Sequence, residues 1–377
     1  MWVSKLALHD FRSYEHLELD LRPGVTTFVA PNGWGKTNLV EALGYVSTLR
    51  SHRVANDVPL VRVGCESGVV SLLAHRGPRS VTLDITIKAK GANRARINRQ
   101  PMRTRDVLGL LPTVVFAPED LDLVKGDPAG RRDFLDTLLV QGAPRYAAVL
   151  SDFDRALKQR NALLKSLKNR PDPALESTLD IWDRAFAQAA AQLVMGRRNL
   201  VERLAAPLTR DFKAVALDAR PERQDAAARY TSRIDYTGLD TTAGYEDAIV
   251  EAVASRRSKE IDRGLTLVGP QRDDVELLIG GVPAKGYASH GESWSLALAL
   301  RLAGWQVLRD DAGDEDGQPV LVLDDVFAEL DAGRRTRLAQ MVAGAQQVLI
   351  TAAVAADIPE NLAGARIDLS AADAGTA

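Results

Sequence analysis

The chain has 377 residues, a formal net charge of −2 and a 46% hydrophobic fraction, which is enough for one large core or two lobes. Its single cysteine, Cys65, excludes an intrachain disulfide, and no run approaches the roughly 18 apolar residues of a membrane span. With so little net charge, any binding of a polyanion must depend on local clusters of basic residues. We therefore expect a cytoplasmic protein without a membrane partner.

The first elements predict a phosphate-binding loop. Apolar and polar residues alternate from Lys5 to Leu21, which predicts a β-hairpin, and Val25–Val29 reads as a buried strand. An apolar helix begins soon after. The segment between them has the glycines of a P-loop, and we expect it to bind ATP: Ala30, Pro31, Asn32, Gly33, Trp34, Gly35, Lys36, Thr37 and Asn38.

Each part of this loop has a chemical role. Backbone N–H groups and the helix N-terminus attract phosphate oxygens. Lys36 is expected to reach the β- and γ-phosphates as a catalytic cation, and Thr37 to bind Mg²⁺. Two positions depart from the usual pattern, because Ala30 replaces the first glycine and Trp34 is bulky. We expect Ala30 to be tolerated if its φ is negative.

A basic segment follows two strands predicted between Gly68 and Ile87. It has no acidic residue before Asp106, and its candidate DNA-binding residues are Arg94, Arg96, Arg99, Arg103 and Arg105. Two interpretations stay open, a hairpin that contacts the phosphate backbone or a solvated hairpin.

Helical periodicity dominates from about 129 to 210, with breaks at 142–144 and 170–173. We expect two or three antiparallel helices in a second lobe, closed by strand-like pieces near 229–236 and a helix near 245–258. One helix face is basic and adds Lys158 and Lys165 to the candidate DNA-binding residues; its members are Arg155, Lys158, Arg160, Lys165, Lys168 and Arg170.

The last third predicts strands at Leu265–Val268, Val275–Ile279 and Gln347–Thr351, and a frayed tail over 371–377. A short Ser-x-Gly motif precedes an apolar helix; it consists of Ser289, His290, Gly291 and Glu292.

A Walker B pattern lies downstream of this motif, where four apolar residues precede Asp324 and Asp325. Asp324 is expected to bind Mg²⁺ and Asp325 to orient or deprotonate the attacking water as a catalytic residue. Lys36 and Asp324 must meet at one nucleotide, although most of the chain separates them. This requirement predicts an α/β fold with a discontinuous P-loop ATPase lobe built from 1–125 and 262–377 and a mainly helical lobe inserted at 126–261.

The order of these motifs resembles that of the SMC-like ABC-type ATPases, and within that class the chain resembles the RecF family of bacterial recombination mediators along essentially its full length. The blocks that carry the resemblance are Phe11–Tyr14, Gly33–Ala42, Arg50–Arg53, Phe116–Leu121, Arg131–Asp136, Gln159–Lys165, Gly269–Asp274, Ser289–Glu292 and Leu323–Asp331.

The resemblance implies an ATP- and Mg²⁺-dependent homodimer in which Ser289, His290, Gly291 and Glu292 contact the nucleotide of the other subunit. It implies binding to duplex DNA and to single-strand/duplex junctions, slow ATP hydrolysis that drives release, and cooperation with RecO and RecR in loading RecA during DNA repair. His290 and Glu292 stand where the signature usually has glutamines. An aspartate rather than a glutamate at the position of Asp325 is usual in this family. Its side chain is shorter than that of glutamate, which suggests slow turnover.

Three alternatives can be compared with this interpretation. The ATPase subunit of a membrane transporter would have a switch histidine, which is missing after Thr351. An ATPase–nuclease fusion would need a further acidic domain, for which no length remains. A DNA scaffold that binds ATP without hydrolysing it differs only in turnover, so the sequence leaves it open.

Overall fold

The computed structural model of the protein describes residues 1–216, 220–362 and 364–372. The strands are β1 Trp2–Phe11, β2 Tyr14–Asp20, β3 Gly24–Val29, β4 Ser67–Arg76, β5 Arg79–Lys88, β6 Arg94–Ile97, β7 Gln100–Met102, β8 Thr113–Phe116, β9 Ala226–Thr231, β10 Asp274–Ile279, β11 Val282–Pro283, β12 Val320–Asp324, β13 Gln347–Ala352 and β14 Ala365–Asp368. The helices are α1 Lys36–Thr48, α2 Leu121–Lys125, α3 Pro128–Gly142, α4 Tyr146–Asn169, α5 Pro173–Val215, α6 Thr242–Arg263, α7 His290–Ala312, α8 Ala332–Val342 and α9 Leu369–Ala372.

The chain divides into two compact units. The first comprises 1–125, 206–226 and 279–377, and the second comprises 126–205 and 227–278. This division places 206–226 and 262–278 differently from the lobe boundaries expected from the sequence. The assignment of the two lobes, 1–125 with 262–377 and 126–261, stays a prediction.

Two sheets make up most of the first unit. Strands β2-β1-β4-β5-β6-β7 form an antiparallel sheet, and β14-β3-β13-β12-β8 form a parallel one. The predicted N-terminal hairpin is confirmed, with Leu8 opposite Leu17. A third sheet has the order β11-β10-β9.

Helix α1 shares one hydrophobic core with the antiparallel sheet and the parallel sheet of the first unit. Leu6 and Leu8 of β1, Leu39 and Leu43 of α1 and Val322 of β12 belong to the same buried cluster. A helix surrounded by apolar neighbours must be apolar on most of its circumference, as α1 is. The helix that follows the P-loop is therefore anchored in this core.

Four helices, α3, α4, most of α5 and α6, dominate the second unit, and the predicted breaks near 143 and 171 are confirmed. The basic face predicted on α4 needs one correction. Arg160 is fully buried, where its guanidinium donates to Asp183 Oδ1 at 2.7 Å, Glu260 Oε2 at 2.5 Å and Thr266 Oγ1 at 2.7 Å. Arg160 is thus a structural cation, because three elements of the unit supply its acceptors.

The prediction of a strand at Leu265–Val268 is wrong. These residues form irregular structure, because side chains take the backbone N–H groups that a strand would offer to a neighbour. Asn161 accepts from the N–H of Thr266 at 2.8 Å, and Glu260 accepts from the N–H of Leu267 at 2.7 Å. The strand predicted at Val275–Ile279 is confirmed as β10.

The strand-like pattern near 229–236 is confirmed only in part, since β9 ends at Thr231, and the helix predicted near 245–258 is confirmed as part of α6. Residues 373–377 of the expected frayed tail lie outside the described residues. In the described part of the chain, no helix has the length and apolarity to cross a membrane.

Candidate nucleotide-binding site

The P-loop connects β3 to α1 as predicted, and α1 begins at Lys36. Gly33 and Gly35 have φ angles of 87° and 83°, in the region that favours glycine. A Cβ on Gly35 would also lie 2.7 Å from Tyr14 Oη, so this position accepts no side chain. Ala30 does not have a positive φ, which meets the condition for alanine at this place. Trp34 is 44% exposed, and its bulk is accommodated at the surface.

Lys36 is folded back into its own loop. Its Nζ donates to the carbonyl oxygens of Ala30 at 2.6 Å and Pro31 at 3.1 Å, and to Asn32 Oδ1 at 3.3 Å. Burial penalises the charged ammonium and lowers the pKa of Lys36, while the carboxylates of Asp325 and Asp324 partly oppose this effect. The ammonium group of Lys36 suits the β- and γ-phosphates of a nucleotide, and the two carboxylates suit a metal ion or water beside them.

The predicted metal ligands Thr37 and Asp324 lie together. Asp324 ends β12, and β13 separates this strand from β3 in the parallel sheet. Burial raises the pKa of Asp324, whereas hydrogen bonds from the hydroxyls of Thr351 and Thr37 oppose the rise. Among the described residues, no three His, Cys, Asp or Glu side chains cluster as a metal site. A Mg²⁺ ion would therefore depend on Thr37, Asp324, phosphate oxygens and water, a set typical of this ion.

Asp325 adopts an unusual backbone conformation, with a φ of 53°. Its N–H donates to Thr351 Oγ1 at 2.9 Å, and its carboxylate Oδ1 is buried without a hydrogen-bond partner in the described structure. Left-handed backbone at a non-glycine residue is strained, and such strain is concentrated at functional sites. A buried carboxylate oxygen with an unused acceptor is suited to orient a water molecule.

The sequence analysis missed the network that holds the P-loop helix. Glu41 of α1 is fully buried, and Arg12 donates to its two oxygens at 2.7 and 2.5 Å. Ser51 also donates to Glu41, and Arg53 donates to Asn38 Oδ1 at 3.0 Å. Burial favours neutral Glu41, but these donors hold its pKa below the usual value. The blocks Phe11–Tyr14 and Arg50–Arg53 are the signal in the sequence that corresponds to this network.

Ser289 is the N-cap of α7 and forms a capping box with Glu292. The N–H of Glu292 donates to Ser289 Oγ at 3.2 Å, and the N–H of Ser289 donates to Glu292 Oε2 at 2.8 Å. Arg223, which the sequence analysis did not select, donates to Glu292 Oε1 at 2.7 Å. Gly291 lies against Arg334, since a Cβ on it would be 3.4 Å from Arg334 Nη1. His290 Nδ1 lies 3.4 Å from Lys125 Nζ.

The five basic candidates of the first unit are solvent-exposed, and none forms an ion pair among the described residues; they are Arg94, Arg96, Arg99, Arg103 and Arg105. Asn98 and Arg99 both have positive φ and form the two-residue turn between β6 and β7, which places Arg99 at the hairpin tip. Lys158 and Lys165 are exposed on α4 in the second unit.

This fold and these motifs define the class of protein, an ABC-type ATPase fold of the SMC-head kind. Residues 2–362 match the family model described as the RecF/RecN/SMC N-terminal domain. The chain belongs to this family and, within it, to the RecF proteins. DNA replication and repair protein RecF of Paenarthrobacter aurescens is 51% identical over 97% of both chains. That of Kineococcus radiotolerans is 53% identical over 98% of this chain and 97% of its own.

Solved structures agree with this membership. The recombination mediator protein RecF–ATP of the RecFOR pathway superposes with a TM-score of 0.86 and 26% identity, over 95% of this chain and 93% of its own. An Smc head domain derived from Pyrococcus furiosus gives a TM-score of 0.51 at 16% identity, over 96% of this chain and 90% of its own, which shows the shared fold alone. The resemblance to RecF is confirmed, and membership argues against the transporter alternative.

Proposed function

We propose that the protein is an ATP-dependent DNA clamp of the recombinational repair pathway. The observation that carries the proposal is the arrangement of Lys36, Thr37, Asp324 and Asp325 at one end of the parallel sheet. Bound ATP–Mg²⁺ would supply the phosphoryl group and the charge of the metal ion. Lys36 would stabilise the phosphates, Thr37 and Asp324 would hold the metal, and Asp325 would orient the attacking water.

The proposal includes a homodimer with two composite sites. In this arrangement the signature segment of each subunit, which consists of Ser289, His290, Gly291 and Glu292, caps the γ-phosphate held by the other subunit. Two features support this role: Ser289 caps α7, and the helix N-terminus favours an anion. Hydrolysis removes the shared phosphate and so releases the dimer.

DNA binding would depend on phosphate contacts from exposed basic residues, chiefly the arginines of the β6–β7 hairpin and Lys158 and Lys165 of α4. Support for the pathway comes from the relatives, whose names refer to DNA replication and repair and to the RecFOR pathway. We therefore propose RecO, RecR and RecA as cytoplasmic partners at gapped DNA.

Sedimentation velocity at micromolar protein tests this proposal, with and without saturating ATP–Mg²⁺. We expect the wild type to dimerise only with ATP. Lys36→Met removes the cation in cis, and Ser289→Arg blocks the signature in trans, so both variants should stay monomeric. If the wild type stays monomeric with saturating ATP, the composite site is wrong. Turnover by the wild-type dimer distinguishes the clamp from a scaffold that does not hydrolyse ATP.

A further inference from the structure

Glu292 creates an electrostatic problem at the signature. Its carboxylate lies at the N-terminal end of α7, the same end that would receive the γ-phosphate of a second subunit under the proposed function. The Arg223 hydrogen bond and the Ser289 N–H hold the pKa of Glu292 at about 2, so this side chain is ionised at neutral pH. An uncompensated carboxylate there would repel a polyphosphate.

Arg223, which is distant from Glu292 in the sequence, compensates the charge of the Glu292 carboxylate. Its Nε donates to Glu292 Oε1 at 2.7 Å, which leaves Oε2 to accept from the N–H of Ser289. The guanidinium thereby neutralises the carboxylate and fixes the side-chain conformation that the capping box requires. The oxygen of the Ser289 hydroxyl accepts from the N–H of Glu292, and its own hydrogen can point outward to a phosphate.

The turn that carries Arg223 is itself anchored. It is a 3₁₀ turn at Pro221–Arg223, and Arg223 Nη1 donates to the carbonyl oxygen of Ile279 at 3.2 Å. The N–H of Gly280 donates to the carbonyl of Asp225 at 2.9 Å. A Cβ on Gly280 would collide with the carbonyl oxygen of Glu222, so the close approach requires glycine here. Arg223 is therefore held by backbone contacts on one side and by Glu292 on the other.

We propose that Arg223 is a positioning residue for the signature: it neutralises and orients Glu292, and thereby allows a second subunit's ATP γ-phosphate to dock on Ser289. The inference rests on the proposed function. It gives Arg223 a role in ATP-dependent association, although Arg223 lies outside the P-loop, the Walker B strand and the signature.

A double-mutant cycle tests this inference, with Arg223→Met, Glu292→Gln and the double variant. The readout is the dissociation constant of the ATP–Mg²⁺ dimer, measured by sedimentation. Arg223→Met leaves a bare carboxylate facing the phosphate, so the dimer should weaken by about tenfold. Glu292→Gln removes the repelling charge. We therefore expect the double variant to dimerise several times more tightly than Arg223→Met alone.

Two measurements separate this role from a structural one. Binding of a fluorescent ATP analogue to the monomer should change little in Arg223→Met, and Arg223→Lys should recover part of the dimer. The matched control is Arg229→Met, which breaks an exposed ion pair with Glu276 at 3.6 Å. If the wild type dimerises but Glu292→Gln fails to rescue Arg223→Met, the inference is wrong and the clamp stands. If the wild type does not dimerise, both fail.

Discussion

Thr351, at the end of β13, joins the two acidic residues that follow its neighbour strand β12. The Thr351 hydroxyl donates to Asp324 Oδ1 at 2.5 Å, and Thr351 Oγ1 itself accepts from the N–H of Asp325 at 2.9 Å. One buried hydroxyl thus fixes both the proposed metal ligand and the backbone of the proposed catalytic carboxylate.

Replacement of Thr351 by valine tests this relationship, because valine keeps the shape and removes the hydroxyl. We expect ATP hydrolysis to fall by roughly 10- to 100-fold, as with other residues that orient a metal ligand. Thr351→Ser retains the hydroxyl and is the matched control. Mg²⁺ titrations of turnover check the result. Equal activity of the valine and serine variants would contradict the proposed role.

The side-chain length of Asp325 is expected to limit turnover. Asp325→Glu extends the carboxylate by one methylene and should raise kcat if short reach makes hydrolysis slow. Asp325→Asn should lower kcat while ATP-dependent dimerisation persists, because the substitution leaves the phosphate contacts in place. Single-turnover hydrolysis measures both effects. An unchanged kcat in Asp325→Glu would count against the reach hypothesis.

Arginines of the β6–β7 hairpin should contribute to DNA affinity through phosphates. For Arg96→Gln and Arg99→Gln we expect weaker binding to any duplex sequence, and a slope of log affinity against log salt that is smaller by about 1 for each lost contact. Fluorescence anisotropy over a salt series measures the slope. Arg79→Gln, which removes an exposed arginine of β5 in the same sheet, is the control. An unaltered slope would favour the solvated hairpin.

Arg160 should be essential to stability. Its removal leaves Asp183 and Glu260 without their central cation inside the protein, and breaking a buried ion pair in this way costs about 3–5 kcal/mol. Urea unfolding of Arg160→Met should show this loss. Arg155→Met, at an exposed position of the same helix, should leave the free energy of unfolding almost unchanged. A small effect at Arg160 would mean that the two acids find other partners.

Acidification should lower the stability of the folded protein because Glu292 becomes protonated. Its pKa is about 2 when folded against an ordinary value of 4.5, so the folded state favours the ionised form. The resulting stabilisation is complete above pH 4.5 and disappears as the pH falls towards 2. Glu292→Gln should lack this part of the pH dependence. Arg223→Met should reduce it, because the Arg223 hydrogen bond is its main cause. Melting temperatures across this pH range provide the test.

Local patterns were sufficient to predict much of the molecule. The hairpin before the P-loop, the start of α1 at Lys36, the breaks between the long helices and the Walker B strand all follow from periodicity, glycine and proline positions, and charge at a strand end. These signals are readable because each depends on residues close together in the chain.

Arg160 and Leu265–Val268 show where this local reasoning fails. Arg160 has the sequence environment of a surface arginine, yet its acceptors come from residues 23 to 106 positions away. The apolar run at Leu265–Val268 has the composition of a strand, but Asn161 and Glu260 take the backbone N–H groups that a sheet would need.

The sequence by itself determined the family, the nucleotide-binding loop and the acidic strand end, because these features are encoded in short contiguous blocks. Only the tertiary structure decided that Thr351 orders Asp324 and Asp325, that Arg12 and Ser51 hold Glu41, and that Arg223 reaches Glu292. Such pairs are chosen by the packing of distant elements. A hydrogen bond depends on the position of both partners in space, which residue spacing along the chain does not give.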